Sequence, residues 1–328
     1  MKYSDASDEN ALAGEDGNPA KILIKQDSSK RGVTAKRDEV SQSLRVRSVT
    51  HDKGARFRRR ILVDEKKLGG LNFKIAETRE ELEKAYRIVH DSYLKEGYID
   101  PHPSGMRISL FNCIAKTTTF ISTMNGDVLS TMTLFPDSPL GLPIDSAYKE
   151  EINKLRNKGR YIAEVGCLAS HPSYKSSSLN GPLHLNKITL NYAQEYLKAD
   201  DLVIAIHPKH ELFYEHIMLF DKIGDIVMYP NVKENPAIAM RINLWKCEDD
   251  YWQVYHGTPA GKNLHRFFCA RDCESIHLPR QKGPVTILNN KLLSYFFKER
   301  TQLLKEVDKQ TLKMIEAQYP PDGREQHD

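Results

Sequence analysis

Two residues near the middle of the chain have side chains suited to acid–base chemistry. Glu164 lies inside the apolar run 161–169, where an ionised carboxylate is costly unless it is paired or used. Tyr214 follows a second apolar run, 202–206. A carboxylate accepts a proton and a phenol donates one, so both residues are candidate catalytic groups. The alternative interpretations are an ion pair with Arg or Lys for Glu164, and a place at the edge of the core for Tyr214.

The sequence around these residues predicts the elements that position them. Both apolar runs are predicted to be buried strands. Between them, apolar residues recur at helical spacing from Leu185 to Tyr196, and Pro182 is predicted to be the first helical residue. A further helix is predicted over 212–220. This order of elements implies parallel strands with a right-handed crossover, and ligands bind at the tips of such strands.

The flanking segments predict a mixed α/β sheet. Thr78 and Glu81 form a capping box ahead of an apolar helical stripe, and Asn125-Gly126 is a strong hairpin signal between two strands. The other predicted strands cover 71–76, 117–124, 127–135, 226–229 and 237–244, and the other predicted helices cover 82–93, 144–157, 267–277 and 285–300.

Charge and periodicity divide the chain into three regions. Residues 1–60 hold 14 of the 48 lysines and arginines but only 9 of the 44 aspartates and glutamates. They are predicted to form a disordered basic arm that contacts an acidic partner or an anionic membrane surface, with a solvated tail as the alternative. Residues 68–245 are predicted to form the folded α/β domain, and residues 246–328 a helical C-terminal extension.

The composition argues against several classes of protein. The folded part is close to electrical neutrality, which argues against nucleic-acid binding. No apolar run approaches the length of a membrane span, and the polar N-terminus lacks the apolar segment of a signal peptide. Five cysteines without paired spacing predict a location in the reducing cytoplasm.

One cluster in the extension has the residue types of metal ligands. His265, Cys269, Cys273 and His277 are spaced by four residues throughout. On one straight helix they would extend over roughly 18 Å, which is too far to enclose a single zinc ion. The sequence therefore predicts no metal site.

Six short stretches occur in a characteristic order, at 85–98, 139–143, 163–165, 168–169, 207–210 and 212–214. Together they resemble the long-chain N-acyl amino acid synthases of the GNAT acyltransferase superfamily, which are relatives of the acyl-homoserine lactone synthases. The resemblance covers the region from about residue 71 to residue 244 and implies a GNAT-like acyltransferase fold for it.

The resemblance also implies a reaction. Family members transfer a fatty acyl group from a thioester, often on acyl carrier protein, to the amine of an amino acid, without a bound cofactor. By position, Glu164 matches the strand carboxylate of the family, and Tyr214 matches the tyrosine of the helix that follows. In thioester aminolysis, Glu164 would accept the ammonium proton and Tyr214 would protonate the leaving sulfur.

Further residues are predicted to bind the substrates. Backbone N–H groups around Cys167 and Leu168 would hold the developing oxyanion, if the two parallel strands splay there. His207, at a strand tip, would contact the amino-acid substrate, and Arg107 would pair with its carboxylate. A strand-end histidine with satisfied hydrogen bonds and a surface arginine are the alternatives. The Cys167 thiol is predicted to be inert, because buried strand cysteines usually are.

The donor-binding loop departs from the usual GNAT pattern. Gln/Arg-x-x-Gly-x-Gly/Ala is replaced by Ser177-Ser-Leu-Asn-Gly-Pro182, and proline has no N–H to offer a phosphate. Acyl carrier protein is therefore the expected donor, with acyl-CoA as the alternative. The predicted contacts with phosphopantetheine or the carrier protein are Ser178, Asn180, Gly181 and Lys175, with Lys187, Lys209 and the basic cluster 56–60 as further candidates.

Two other functions stay open as alternatives. One is a non-catalytic sensor that binds an acyl thioester or a carrier protein on the same fold, and the other is an ordinary CoA-dependent N-acetyltransferase. The presence of both Glu164 and Tyr214 favours an enzyme, whereas the altered loop and the basic arm leave room for the sensor.

Overall fold

The structure is a computed structural model in which part of the chain is described. The described residues are 54–55, 57–59, 61–64, 68–172, 174, 180–270 and 273–319. All of them belong to one unit, Thr50–Asp328, so the C-terminal segment packs with the sheet. The predicted basic arm lies almost entirely outside the described residues.

Nine strands of the described region form one mixed sheet. Their order is β6-β8-β5-β4-β3-β2-β1-β9, and β7 pairs with β8. The β4–β5 and β1–β9 pairs are parallel. The strands are β1 Asn72–Ile75, β2 Thr118–Met124, β3 Asp127–Pro136, β4 Ile162–Ser170, β5 Asp201–Ile206, β6 Asp221–Lys222, β7 Val227–Tyr229, β8 Asn235–Asn243 and β9 Ile276–His277.

The helices cover both faces of this sheet. Along β2, Phe120 packs into the cluster that contains the helix Asn180–Tyr192, while its neighbour Ile121 packs into the cluster that contains the helix Arg79–Lys95, as alternation along a strand requires. In the described residues, no helix is both long and apolar enough to cross a membrane. The helices are α1 Arg79–Lys95, α2 Asp145–Arg156, α3 Asn180–Tyr192, α4 Glu211–His216, α5 Cys247–Tyr255, α6 Leu264–Cys269, α7 Asn290–Ser294 and α8 Lys309–Glu316.

The two most specific local sequence signals, the capping box and the hairpin turn, are confirmed. The Thr78 side chain accepts a hydrogen bond from the Glu81 backbone N–H at 3.1 Å, and the Glu81 carboxylate accepts one from the Thr78 N–H at 3.3 Å. Asn125 and Gly126 have φ of 53° and 85° and join β2 to β3 as a two-residue hairpin. The predicted strand–helix–strand–helix unit is also present, as β4, α3, β5 and α4.

Helix boundaries were predicted less accurately than helix positions. Helix α3 begins at Asn180, so Pro182 lies within its first turn rather than at its first residue. Helix α4 ends at His216 instead of continuing to Phe220. Residues 217–220 are buried in a turn that includes Leu219 at φ 57°. Their apolar character therefore reflects packing of that turn into the core and not a helical face.

The helices of the C-terminal extension lie at other positions than predicted. In the described part of the predicted helix 267–277, only 267–269 are helical, as the end of Leu264–Cys269, and Ile276–His277 forms β9 against β1. The second predicted helix begins at Asn290, because the Asn289 side chain caps it by accepting from the Leu292 N–H at 2.9 Å. It continues beyond α7 as the π-helical turn Tyr295–Arg300.

A buried ion network fixes the parallel strands β4 and β5 at one end. Asp201, at the start of β5, is fully buried and accepts hydrogen bonds from Arg160 and from Arg241, the latter at 2.6 Å. Arg160 also donates to the Asn243 side chain at 3.0 Å and lies over the Trp245 ring at 4.0 Å. The network thereby joins the segment before β4 to β5 and β8.

We expect Asp201→Asn to destabilise the fold strongly, because it leaves two guanidinium groups without their buried counter-charge. The free energy of unfolding should fall by about 3–5 kcal/mol, measured by urea denaturation. The matched control is Asp225→Asn, whose carboxylate pairs with Lys222 at the surface and should leave the midpoint unchanged. An Asp201→Asn protein as stable as the wild type would show that the network does not hold the strands together.

Candidate active site

The strands β4 and β5 pair over only part of their length. Their register runs from Ile162 opposite Asp201 to Glu164 opposite Val203. Beyond Glu164 the strands no longer pair, so the condition on which an oxyanion site at Cys167 and Leu168 depends is met. A cavity of about 520 Å³ opens between them, within the size range of small-molecule sites. Its largely apolar walls include Val165, Leu168, Ile204, Ile206, Phe213 and Ala237.

A bulge in β4 lies at the wall of this cavity. Thr131 pairs with Ala169 and Thr133 pairs with Gly166, so β4 has one residue more than β3 between these pairs. Cys167 within the bulge has φ of 54°, which is uncommon for a residue with a side chain. A bulge interrupts the hydrogen-bond ladder locally, and both Cys167 and Leu168 line the cavity.

Glu164 is a buried carboxyl group beside the cavity. It is 4% exposed, and its Oε2 accepts a hydrogen bond from the Ile144 backbone N–H at 2.7 Å. Burial raises the pKa of Glu164 to about 8, and the nearby negative charge of Asp145 acts in the same direction. Within the described part of the chain, no Arg or Lys forms an ion pair with Glu164, so the described residues provide no support for the interpretation as a structural ion pair.

An arginine clamp positions the loop that contacts Glu164. The Arg156 guanidinium donates to Asp137 at 2.7 Å and to Asp145 at 2.6 Å. These two carboxylates flank the loop that ends at Ile144, whose N–H contacts Glu164. Arg156 is therefore a positioning residue for the candidate base, and it also offsets the charge of Asp145.

Tyr214 lines the same cavity from α4. Its ring packs edge-on against Phe213 at 5.3 Å and Phe220 at 5.6 Å. Its hydroxyl has no hydrogen-bond partner among the described residues, and the side chain remains partly accessible through the cavity. Burial of the phenol raises the pKa of Tyr214 to about 12, so the hydroxyl keeps its proton and can donate it.

The Cys167 thiol is not poised for nucleophilic attack. Burial raises the pKa of Cys167 to about 11, although the positive charge of Arg107 acts in the opposite direction. A thiol in this state is protonated at neutral pH. This supports the prediction that Cys167 contributes through its backbone.

Arg107 is partly buried and contacts other segments of the chain. Its Nη2 donates to the Asn231 carbonyl at 3.0 Å, and its guanidinium lies 5.9 Å from the centre of the Tyr93 ring. Its Nε is buried and has no hydrogen-bond partner among the described residues. Arg107 is therefore held in place by neighbouring segments, and its Nε is a donor without a partner in the described part of the chain.

Sequence reasoning missed two tyrosines of this region. Tyr93 was assigned only to the apolar stripe of α1, and Tyr229 only to a strand, but both line the cavity. Burial raises the pKa of both phenols, and the charge of Glu164 raises each pKa further. No local sequence pattern indicates that these tyrosines lie near the Glu164 carboxylate and Arg107, because α1, β4 and β7 come together only in the folded structure.

His207 lies at the tip of β5 and lines the cavity. Its Nδ1 accepts a hydrogen bond from the Lys209 backbone N–H at 3.1 Å. The ring is therefore partly engaged in capping the turn that follows, and one ring nitrogen is left for another contact. His210 also lines the cavity but was not predicted.

The predicted donor-binding residues are only partly described. Lys175 and Ser178 lie outside the described residues. Asn180 begins α3, and Gly181 is buried in its first turn. The suggestion that Lys187 contacts a carrier protein is wrong, because this residue is 2% exposed and its ammonium group lies over the Phe267 ring at 4.8 Å.

Comparisons with known proteins match this region. The family model of the N-acyl amino acid synthase FeeM matches residues 84–243. The solved structure of FeeM, an N-acyl amino acid synthase from uncultured soil microbes, is 31% identical, with 55% of this chain and 93% of that chain covered and a TM-score of 0.49. A comparison with curated proteins found no match.

Two more distant structures are acyl-homoserine lactone synthases. LasI is 16% identical, with 53% of this chain and 90% of that chain covered and a TM-score of 0.42. The CoA-dependent synthase BjaI, solved with SAM and isopentyl-CoA, is 13% identical, with 65% and 96% covered and a TM-score of 0.42.

The identity to FeeM extends over nearly that whole chain and agrees with the family model. The predicted GNAT-type mixed sheet and acyltransferase activity follow from this assignment. The chain belongs to the FeeM family of N-acyl amino acid synthases and is an acyltransferase enzyme.

Proposed function

We propose that this enzyme moves a long-chain fatty acyl group from acyl carrier protein to the amino group of an amino acid. The observation that carries the proposal is the apolar cavity between the splayed strands, with a buried carboxyl group and a tyrosine beside it. An ordinary acetyltransferase would need room for only a two-carbon acyl group. A cavity of this size and apolar lining suits a longer chain.

Glu164 is proposed to be the general base. The amine nitrogen of the acceptor attacks the thioester carbonyl carbon, a C–N bond forms, and the ammonium proton passes to the Glu164 carboxylate directly or through water. A carboxyl pKa of about 8 makes the ionised form a stronger base than an ordinary glutamate. Collapse of the tetrahedral intermediate breaks the C–S bond.

Tyr214 is proposed to protonate the leaving sulfur. Its pKa of about 12 keeps it protonated until a thiolate forms nearby. The oxyanion that precedes this step would be held by backbone N–H groups of the β4 bulge at Cys167 and Leu168. Fixed backbone donors are effective in this role because they need no reorganisation during the reaction.

Arg107 is proposed to bind the carboxylate of the acceptor amino acid. Its buried Nε lacks a partner among the described residues, and its charge acts on Cys167 and on Tyr93, which both line the cavity. A carboxylate at this position would accept charge-assisted hydrogen bonds. His207, which also lines the cavity, would add a further contact with the acceptor amino acid.

The start of α3 favours a carrier-protein donor over coenzyme A. Pro182 lies in the first turn, where free backbone N–H groups bind phosphate in other proteins, and it offers none. A phosphopantetheine arm without a nucleotide does not need these donors. Of the basic residues suggested for the acidic carrier protein, Lys209 is half exposed and pairs with Glu96 at 3.5 Å, so it stays a candidate.

The reaction is proposed to take place in the cytoplasm. None of the chain's five cysteines forms a disulfide, which agrees with a reducing compartment. Contact of the basic N-terminal arm with an anionic membrane surface stays a prediction, since residues 1–53 lie outside the described residues.

We expect Glu164→Gln to lower kcat by roughly 10²–10⁴, because glutamine cannot accept the proton. In the wild type, kcat/KM should rise with pH towards a plateau above about pH 8, where the Glu164 carboxyl is ionised. Steady-state kinetics over this pH range measure both effects. Glu150→Gln, on the exposed face of α2, is the matched control. It should change neither kcat nor the pH dependence of kcat/KM.

The same substitution gives a stability test with a defined sign. Because the folded-state pKa of Glu164 lies above its ordinary value of 4.5, the unfolded chain loses this proton first as pH rises. Wild-type stability therefore falls between about pH 4.5 and 8, and the penalty is complete above pH 8. Glu164→Gln should gain stability relative to the wild type over that window. A pH-independent difference, or unchanged turnover, would remove Glu164 as the base.

We expect Arg107→Lys to weaken binding of the amino acid selectively. The substitution keeps the charge but loses the planar fork, so KM for the acceptor should rise about tenfold or more while KM for the acyl donor stays the same. An acceptor amine without a carboxylate should react equally with both proteins. Arg87→Lys, in a surface pair with Glu83, is the control. A selective rise in KM for the donor would place Arg107 elsewhere in the mechanism.

We expect higher kcat/KM with acyl carrier protein than with coenzyme A when both carry the same acyl chain. The advantage of the carrier protein should shrink as added salt screens the charged encounter. Parallel kinetics with the two thioesters at several ionic strengths provide the measurement. Equal or better efficiency with coenzyme A would contradict the proposed donor and leave the acceptor chemistry intact.

A further inference from the structure

A second cluster of reactive side chains lies in the C-terminal extension, outside the region that the FeeM family model matches. One ligand atom each from Glu248, His265 and Cys269 lies within 4.8 Å of the others. Glu248 is exposed, and His265 and Cys269 are partly buried. The cluster is therefore accessible from solvent yet anchored in the structure.

Two packed helices bring these residues together. His265 and Cys269 are four residues apart on α6, so they lie on one face of that helix. Glu248 lies in the first turn of α5. The helices are held against each other by the Tyr251 and Phe268 rings, whose centres are 5.0 Å apart. The backbone thus fixes the spacing of the three side chains.

The three donors form a typical zinc ligand set. Thiolate, imidazole and carboxylate bind zinc at about 2.0–2.3 Å in a tetrahedral arrangement, which places neighbouring ligand atoms about 3.3–3.8 Å apart. Small side-chain rotations would bring a separation of at most 4.8 Å into this range. Calcium and magnesium prefer sets made of oxygen alone, so the sulfur and nitrogen donors favour zinc.

Neighbouring groups orient the cluster. The edge of the Trp252 ring packs against the His265 ring with centres 5.2 Å apart, which restricts rotation of the imidazole. Cys247 is adjacent in the chain but engaged elsewhere: its sulfur accepts from the Gln194 amide at 3.0 Å. The Cys247 thiol also donates to the Leu244 carbonyl at 3.4 Å, so both of these contacts engage the sulfur within the fold.

Cys273 and His277, which continue the four-residue spacing of His265 and Cys269 in the sequence, lie apart from this cluster in the structure. Cys273 is buried, with its sulfur 3.1 Å from the Ser275 hydroxyl. His277 lies on β9, with its Nε2 3.1 Å from the Asn72 side-chain oxygen. The straight helix assumed for all four residues ends at Cys269, so it is the strand β9 and not helix length that separates His277 from the other residues. His265 and Cys269 nevertheless lie together, beside a glutamate from another helix.

We propose that Glu248, His265 and Cys269 bind a zinc ion that joins α5 to α6, with water at the fourth position. Binding requires loss of the Cys269 thiol proton. The ion would act as a structural anchor: α6 also packs on α3, where the His184 and Phe267 rings lie 4.8 Å apart. The metal would thus secure the extension against the helix that follows the donor-binding loop.

Cobalt titration of the full, metal-free and tag-free chain tests the site. Cobalt(II) takes the same tetrahedral ligands as zinc and gives a thiolate-to-metal charge-transfer band. We expect one equivalent to bind, with the band abolished by Cys269→Ser and reversed by added zinc. His265→Gln and Glu248→Gln should weaken zinc affinity by at least about 10–100-fold.

Matched controls come from the residues that the structure separates. Cys273→Ser and His277→Gln should keep the band and the affinity of the wild type. Zinc should also raise the melting temperature of the wild type and of Cys273→Ser, but not that of Cys269→Ser. Glu248 is at the surface, so Glu248→Gln tests the site even if the cysteine variant fails to fold. Absence of the band, or equal affinity in Glu248→Gln and the wild type, would overturn the proposal.

Discussion

The candidate active site depends on a parallel strand pair that is held firmly at one end and open at the other. The buried Asp201 carboxylate, with Arg160 and Arg241 around it, ties the start of β5 to the segment before β4 and to β8. Pairing then continues only as far as Glu164 and Val203. Two strands that are fixed at one end can separate at the other without losing the sheet, and the cavity occupies that separation.

The same arrangement explains the state of Glu164. It is the last residue of β4 that still pairs with β5, so its backbone is fixed while its side chain lies close to the opening. The loop held by Arg156 supplies one hydrogen bond from Ile144, which is too little to offset burial of a charge. The pKa of the carboxyl group is therefore raised to about 8, in a residue whose neighbours Val165 and Gly166 line the cavity.

Much of the fold was predictable because its local signals are strong. The capping box at Thr78 and the Asn125-Gly126 hairpin depend on neighbouring residues alone, and the structure reproduces both. Glu164 stood out because a carboxylate is rare in an apolar strand. The pairing of Arg107 with Asn231, and the approach of Glu248 to α6, depend on residues far apart in sequence. No local pattern encodes such contacts.

Segments whose apolar residues serve tertiary packing were predicted least well. Phe220 follows a helical spacing but lies in a buried turn, and most of the segment 267–277 is not helical because its end adds a strand to the sheet. In both places the core selects apolar residues at positions where the backbone is irregular, so periodicity alone misassigns them.

The strand β9 helps to define where the folding unit of this protein ends. It pairs in parallel with β1, so the extension covers a sheet edge that would otherwise present unpaired backbone groups. Phe296 and Phe297, further along the extension, are fully buried against α1 and the sheet. A fragment cut at the end of the family-matched region, near residue 243, would carry an open edge and an uncovered apolar face. The extension is thus part of the folding unit, and the boundary of the family does not mark the boundary of the domain.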